Sequence, residues 1–256
     1  MNAPKCPPFE VLYADDHLVA VGKPSGCSVH PGSPHFRTSL RSGRGHVPSD
    51  GQRRGRWPPR RAPDSGPALL PEVRDRMGRW VYPAHRLDRA TSGVLLFGFD
   101  GETAGLLNGA LAEGRAEKTY LALVRGAPPR TGTIDHAIPR SEDGPRVPAS
   151  SSWERLWVHG RYAFVRVRPH SGRRHQVRRH MKHLGHPLIG DVRYGKGDHN
   201  RFFREHYGLH RLALHARSLR FAHPRTGVEL TIVAPTPDDL RVPLARLGVP
   251  ERLYWV

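Results

Sequence analysis

Apolar positions in this chain mostly alternate or cluster in short runs, and only three stretches place them at helical spacing. Residues 9–13 (FEVLY) and 17–21 (HLVAV) read as two strands about the turn Ala14-Asp15-Asp16. The unbroken run Val94-Leu95-Leu96-Phe97 predicts a buried strand, and further strands are expected at residues 80–82 and 118–124. Residues 153–158 and 162–168 flank His159-Gly160-Arg161 as a hairpin. Residues 209–221 and 228–233 form a last pair about His223-Pro224-Arg225-Thr226-Gly227. Helices are predicted at 68–77, after Asp100 as N-cap with Ala104, Leu107 and Leu111 facing inward and Gly114 as the stop, and around Val177, Met181 and Leu184 before Gly185. The pattern is α+β: helices laid on a mixed sheet, in one domain spanning residues 9–256 behind a loose leader at 1–8.

One segment breaks the pattern. Residues 33–67 carry seven arginines between Arg41 and Arg61 against one acid, Asp50, with no apolar period. Such a stretch buries too little apolar surface to offset its ordering entropy, so a disordered basic insert is expected.

Charge adds a partner. Lys and Arg number 41 against 23 Asp and Glu, a net +18, which points to a polyanion such as RNA. Two cysteines imply no disulfide framework. Neither a membrane-length apolar run nor a signal peptide is visible, and a cytoplasmic protein is expected. His175, His180, His183 and His186 crowd one segment, yet interleaved Arg and Lys would repel a cation, and no His-Glu-x-x-His or Cys-x-x-Cys occurs, so no metal is expected. Walker and Gly-x-Gly-x-x-Gly loops are missing, which argues against a nucleotide cofactor, and no Gly-x-Ser-x-Gly elbow suggests a hydrolase.

The candidate chemistry lies in His85-Arg86-Leu87-Asp88-Arg89-Ala90-Thr91-Ser92-Gly93. Turn formers between Asp88 and the apolar run put the carboxylate on a loop at a strand mouth, and the flanking guanidiniums of Arg86 and Arg89 favour its charged form. That string resembles the signature of the RluA-type pseudouridine synthases, whose Asp is the catalytic nucleophile. Lys23-Pro24-Ser25-Gly26 is similar to the family's opening loop, Lys118-Thr119-Tyr120 to its second motif, and Gly172-Arg173-Arg174-His175-Gln176-Val177-Arg178 to its third.

The resemblance implies a central mixed sheet with a catalytic cleft across it. It implies Asp88, Tyr120 and Arg178 as catalytic residues, with Arg178 pairing Asp88 and Tyr120 lining the uracil pocket, where it stacks on the base and helps the loss of the C5 proton. Arg86, Arg89, Lys23, Arg173 and His175 are expected to contact RNA, Arg86 either filling the place of a flipped uridine or holding its displaced phosphate. Arg179 is expected to sit across the helix step and to tolerate change. The reaction, which moves uracil from N1 to C5 attachment on its ribose, needs no cofactor and no metal. Asp88 either forms a covalent adduct or removes a ribose proton; the sequence admits both. Residues 178–191, 200–201, 209–216 and 223–227 resemble the members that act on tRNA at a uridine-65 type site, and no S4-like domain is expected before Phe9, as in those members. A monomer is expected. The alternatives are a ribosomal RNA synthase of the same family and a non-catalytic RNA-binding protein on the same fold.

Overall fold

The computed structural model describes residues 5–30, 66–141 and 144–255. β1 (Glu10–Ala14) and β2 (Leu18–Lys23) form an antiparallel hairpin, its turn held by Asp15, whose carboxylate accepts from the backbone N–H groups of His17 and Leu18 at 2.7 and 2.9 Å. α1 (Leu69–Met77) ends on Gly78, and β3 (Tyr82–Pro83) leads toward β4 (Ser92–Gly98). α2 (Gly101–Ala112) starts where Asp100 caps the Thr103 N–H at 2.7 Å. β5 (Glu117–Arg125), β6 (Thr131–Asp135) and the short pair β7 (Ile138–Pro139) and β8 (Arg146–Val147) follow. Next come β9 (Ser150–His159), β10 (Tyr162–Pro169), α3 (Gln176–His183) and α4 (Gly197–Tyr207). β11 (Leu214–Ala222), β12 (Glu229–Val233), α5 (Asp238–Leu247) and a 3-10 turn at Glu251–Tyr254 close the chain.

Ten strands make one sheet along the path β1-β2-β4-β11-β5-β10-β9-β6, with β12 added on β11 and β3 on β4. Successive side chains of a strand point to opposite faces, and here both faces are covered. In β4, Val94 and Leu96 join Leu107 and Leu111 of α2, whereas Leu95 and Phe97 join Leu69 and Val73 of α1. In β5, Leu121 and Leu123 meet Phe203 of α4 and Leu240 and Leu244 of α5, while Ala122 and Val124 meet Val177 and Met181 of α3. That double coverage is why the strands read as continuous apolar runs.

β11 changes partner along its length. His215 and Ala216 pair in parallel with Ser92 and Gly93 of β4, and from Ser218 onward β12 takes that place. Gly93 has φ +121, and a Cβ there would run into the Ala216 backbone, so this approach requires glycine. Ser92 is fixed in the same contact: the buried Arg211 guanidinium donates to its hydroxyl at 2.7 Å, and His215 Nδ1 lies 2.8 Å away. The mouth of β4 is thus pinned at the fork of the sheet.

The structure corrects several expectations. Strand β2 runs on through Gly22 and Lys23, which the sequence suggested were loop. Only the second half of 209–221 is strand, because Leu209, Leu212 and Ala213 turn into the core instead. Of the stretch expected as strand 80–82 only Tyr82 pairs, as the first residue of β3. β6, the β7–β8 pair, α4 and α5 were not anticipated. Cys6 and Cys27 lie together with Cα atoms 5.8 Å apart as a disulfide pair, so residue 6 of the expected loose leader is docked on the core. The expected disordered insert lies, through residue 65, outside the described residues; Pro67 already accepts a backbone hydrogen bond from Ser28 at 3.0 Å. No helix among the described residues is long and apolar enough to cross a membrane.

Candidate active site

Asp88 stands on a tight turn, its carbonyl accepting from the Thr91 N–H at 3.0 Å, directly before β4. A second loop clasps this turn from outside. Ser25 Oγ donates to the Ala90 carbonyl at 2.9 Å, Gly26 N–H donates to the Arg89 carbonyl at 2.8 Å, and Arg89 Nε returns a bond to the Gly26 carbonyl at 2.9 Å. Lys23 Nζ sits behind both loops and donates to the carbonyls of Cys27 (2.7 Å), Pro24 (2.9 Å) and Arg89 (3.2 Å). Lys23 was expected among the RNA-contacting cations, but at 1% exposure it is a buried clamp, because β2 carries it inward. Burial pushes its pKa down to about 7, with Arg211 and Arg89 acting the same way and Asp88 opposing.

The cations that meet Asp88 are not its sequence neighbours. Arg178, on the first turn of α3, donates from Nη1 to Asp88 Oδ2 at 2.9 Å. Its Nε and Nη2 form a fork on Asp191 at 2.7 and 2.9 Å. One guanidinium therefore joins two carboxylates. The Asp191 side chain is 0% exposed and that of Asp88 is 21% exposed, so only Asp88 can meet a ligand. Burial alone would push the Asp191 carboxyl up, but Arg178 and the N–H groups of Tyr194 and Arg193 hold it below its ordinary value. Gly190, at φ +78 with no room for a Cβ beside the Arg211 backbone, sets the bend that delivers Asp191.

Tyr120 lies on β5, opposite Ala216 of β11 and Val167 of β10. Burial, and then the nearby Asp88 charge, push its phenol pKa up. Its hydroxyl makes no hydrogen bond among the described residues. His175 caps α3 and places Nε2 3.5 Å from Asp88 Oδ1, so it belongs to the centre of the site and not to an outer rim. Arg173 is exposed, with Nε on the Pro148 carbonyl at 3.1 Å, and Arg86 and Arg89 are exposed beside the Asp88 turn. Arg179, expected to tolerate change, donates to Tyr194 Oη at 2.9 Å and to the Pro139 carbonyl at 3.0 Å. His85, the first signature residue, accepts from the Leu96 N–H at 3.2 Å, and burial lowers its pKa to about 4.

The structure brings together Asp88, Tyr120, Arg178 and His175 and sets Lys23 beneath them. Asp191 and Tyr194 were missed. The available signal was a lone acid after a glycine in a strongly basic stretch. A separate cavity of about 420 Å³ is lined by Ser25, Gly26, His210, Arg211, Asp239 and Arg246, and none of the reactive groups lines it.

A charged carboxylate, partly open to solvent and held by a donor-only guanidinium beside an aromatic ring, can act on an electrophilic carbon or an acidic C–H of a planar-base ligand. Residues 17–183 match the RNA pseudouridylate synthase family. The chain is 34% identical over 266 positions to tRNA pseudouridine synthase C of Vibrio parahaemolyticus, covering 96% of this chain and 97% of the relative. It is 37% identical over 247 positions to tRNA pseudouridine synthase C of Pasteurella multocida, covering 88% and 90%. The fold of human RNA pseudouridylate synthase domain containing 4 superposes with a TM-score of 0.67 at 23% identity, over 93% of this chain and 92% of that one. With its sheet, its matched span and its near-full-length relatives in agreement, the chain belongs to the RluA-type RNA pseudouridylate synthase family and is an isomerase acting on RNA.

Proposed function

We propose that this enzyme converts uridine to pseudouridine in tRNA at a uridine-65 type site, with residues 9–256 acting as one catalytic unit and as a monomer in the cytoplasm. The observation that carries the reading is the Arg178 bridge, which presents a charged Asp88 to solvent from a buried Asp191 anchor. The N1–C1′ bond of the nucleoside breaks, uracil turns, and a C5–C1′ bond forms. The C5 proton is lost and N1 gains one, so no oxidant, reductant or energy source enters. Asp88 acts on the ribose, either by bonding to it or by taking its proton. Tyr120 packs against the uracil. Its raised pKa keeps the phenol protonated, which supports a packing role and works against use as the C5 base.

A stacked uridine reaches Asp88 only when flipped out, at a cost of a few kcal/mol. Exposed Arg86 fills the gap, and Arg89 and Arg173 hold phosphates. The +18 charge supplies sequence-independent affinity. The tRNA assignment rests on the similarity to the two bacterial relatives. Mapping pseudouridine in total tRNA and rRNA from cells with and without the protein tests it. Loss of one tRNA site supports the reading, and loss confined to rRNA overturns the substrate.

A further inference from the structure

His175 is the one non-glycine among the described residues with positive φ, at 56°. Backbone held in that region costs energy and persists where the surroundings over-determine it. The clamp is Gln176. Its side-chain oxygen accepts from Ser171 Oγ and the Arg173 N–H at 2.7 and 3.0 Å, and its amide donates to the Ser150 carbonyl and Ser151 Oγ at 2.8 and 3.1 Å. The strained backbone aims a ring that is 11% exposed at two partners: Nδ1 lies 2.9 Å from Tyr194 Oη, and Nε2 lies 3.5 Å from Asp88 Oδ1.

The donor inventory decides which nitrogen carries the proton. A guanidinium only donates, so Tyr194 Oη accepts from Arg179 Nε at 2.9 Å and has a single proton of its own to give. His175 Nδ1, 2.9 Å away, takes that proton, because Nε2 faces the acceptor oxygen Asp88 Oδ1 at 3.5 Å and so carries the ring's own proton. Burial, opposed by Asp88 and reinforced by Arg178, lowers the pKa of His175 to about 4, so the neutral ring has one proton, on Nε2. Tyr194 is itself held in place: Arg178, Arg179, Arg193 and Lys182 stand 5.0, 5.7, 5.7 and 5.8 Å from its ring centroid.

We infer that Tyr194 and His175 are positioning residues for Asp88, with Tyr194 fixing the Nε2–H tautomer of His175 so that this N–H steadies Oδ1 while Arg178 holds Oδ2. At 3.5 Å the contact is longer than a hydrogen bond, a common state of catalytic contacts before substrate closes the site. Both carboxylate oxygens are then claimed, and the carboxyl plane is set for attack from one direction. The inference rests on Asp88 as the group that acts on substrate.

Imidazole nitrogen NMR on the full-length protein at pH 7 tests it, with the His175 signals assigned by their loss in His175→Gln. The wild-type spectrum should show the Nε2–H form, and Tyr194→Phe should give a mixture of tautomers. Tyr194→Phe should also lower kcat about tenfold, the equivalent of one mis-set hydrogen bond, with KM little changed. His175→Gln, which keeps a side-chain N–H donor, should retain more activity than His175→Ala. An Nδ1–H wild-type tautomer overturns the inference, as does wild-type kcat in Tyr194→Phe. If Tyr194→Phe does not fold, the wild-type tautomer still decides. Failure of the Asp88 assignment is separable, because the tautomer is read without turnover.

Discussion

Arg178 and Asp191 are joined by two hydrogen bonds, of 2.7 and 2.9 Å, in the interior of the protein, and the one guanidinium nitrogen left over is the one that holds Asp88. Arg178 is thus oriented by a carboxylate that no substrate touches. Asp191 accepts besides from the N–H groups of Arg193 and Tyr194, both at 2.9 Å, so a single side chain shapes the segment that carries Tyr194.

Asp191→Ala should therefore damage both fold and function. It leaves the buried guanidinium with Asp88 as its one carboxylate, and removing one partner of a buried pair typically costs about 3–5 kcal/mol of stability. Asp191→Asn keeps one acceptor and should cost less, while still lowering kcat because Arg178 is no longer gripped on two sides. Urea unfolding and steady-state kinetics of the two variants check this ordering. Equal stability of Asp191→Ala and wild type would contradict it.

Substitutions on α3 should rank in a stated order. Arg178→Ala takes the guanidinium away from two carboxylates at once and should be the most damaging, by activity and by stability. Arg178→Lys keeps the charge but has no fork to span Asp88 and Asp191, so it should fold better and remain poorly active. Arg179→Ala should cost more than a modest loss of RNA affinity, because Arg179 holds Tyr194 and the Pro139 carbonyl. A loss of about tenfold in kcat, one hydrogen bond's worth, is expected for it. Turnover in the order wild type, Arg179→Ala, Arg178→Lys, Arg178→Ala is the predicted outcome.

Stability should fall on mild acidification, well above the carboxylate range. Burial lowers the pKa of His85 and His175 to about 4 and that of His215 to about 3, and His30, His136, His180 and His199 shift in the same direction. A histidine with a depressed folded pKa binds its proton more readily when unfolded. Its contribution is complete above about pH 6.5 and is lost as pH falls toward the folded value. Each of the three deeply shifted rings contributes on the order of 3 kcal/mol across that window. The lowered carboxylates of Asp15, Asp100 and Asp191 add their own loss only below about pH 4. Urea midpoints between pH 7.5 and 4.5 check the sign. A flat profile would mean that the rings are charged in the fold.

How much of this was legible in the sequence depended on which signal each residue left. Strands buried on both faces, such as β4 and β10, leave apolar runs that no turn can produce, and they were read within a residue or two. Asp100 and Gly114 bounded α2 correctly because caps are local chemistry. β6 is a five-residue strand of mixed burial with one buried side chain, Ile134, and its polar alternation carries little signal. α4 buries only Phe203, and α5 contains Pro243, a residue that argues against a helix until its surroundings are seen. At the site, the Asp88–Arg178 pairing across ninety positions was legible only through the ordered motifs, and it is present at 2.9 Å. The flanking arginines misled: charge adjacent in sequence says little about which cation the backbone turns toward a carboxylate. Lys23 misled for the converse reason, since three carbonyls can hold an ammonium indoors.

The central claim is that Asp88 carries the reaction, and Asp88→Asn tests it most directly. The amide keeps the shape and an oxygen for Arg178 to donate to, so the variant should unfold near the wild-type temperature and bind tRNA with similar affinity. Pseudouridine formed per enzyme, measured in a tRNA that the wild type modifies fully, should be undetectable for Asp88→Asn. Turnover near the wild-type rate would contradict the account.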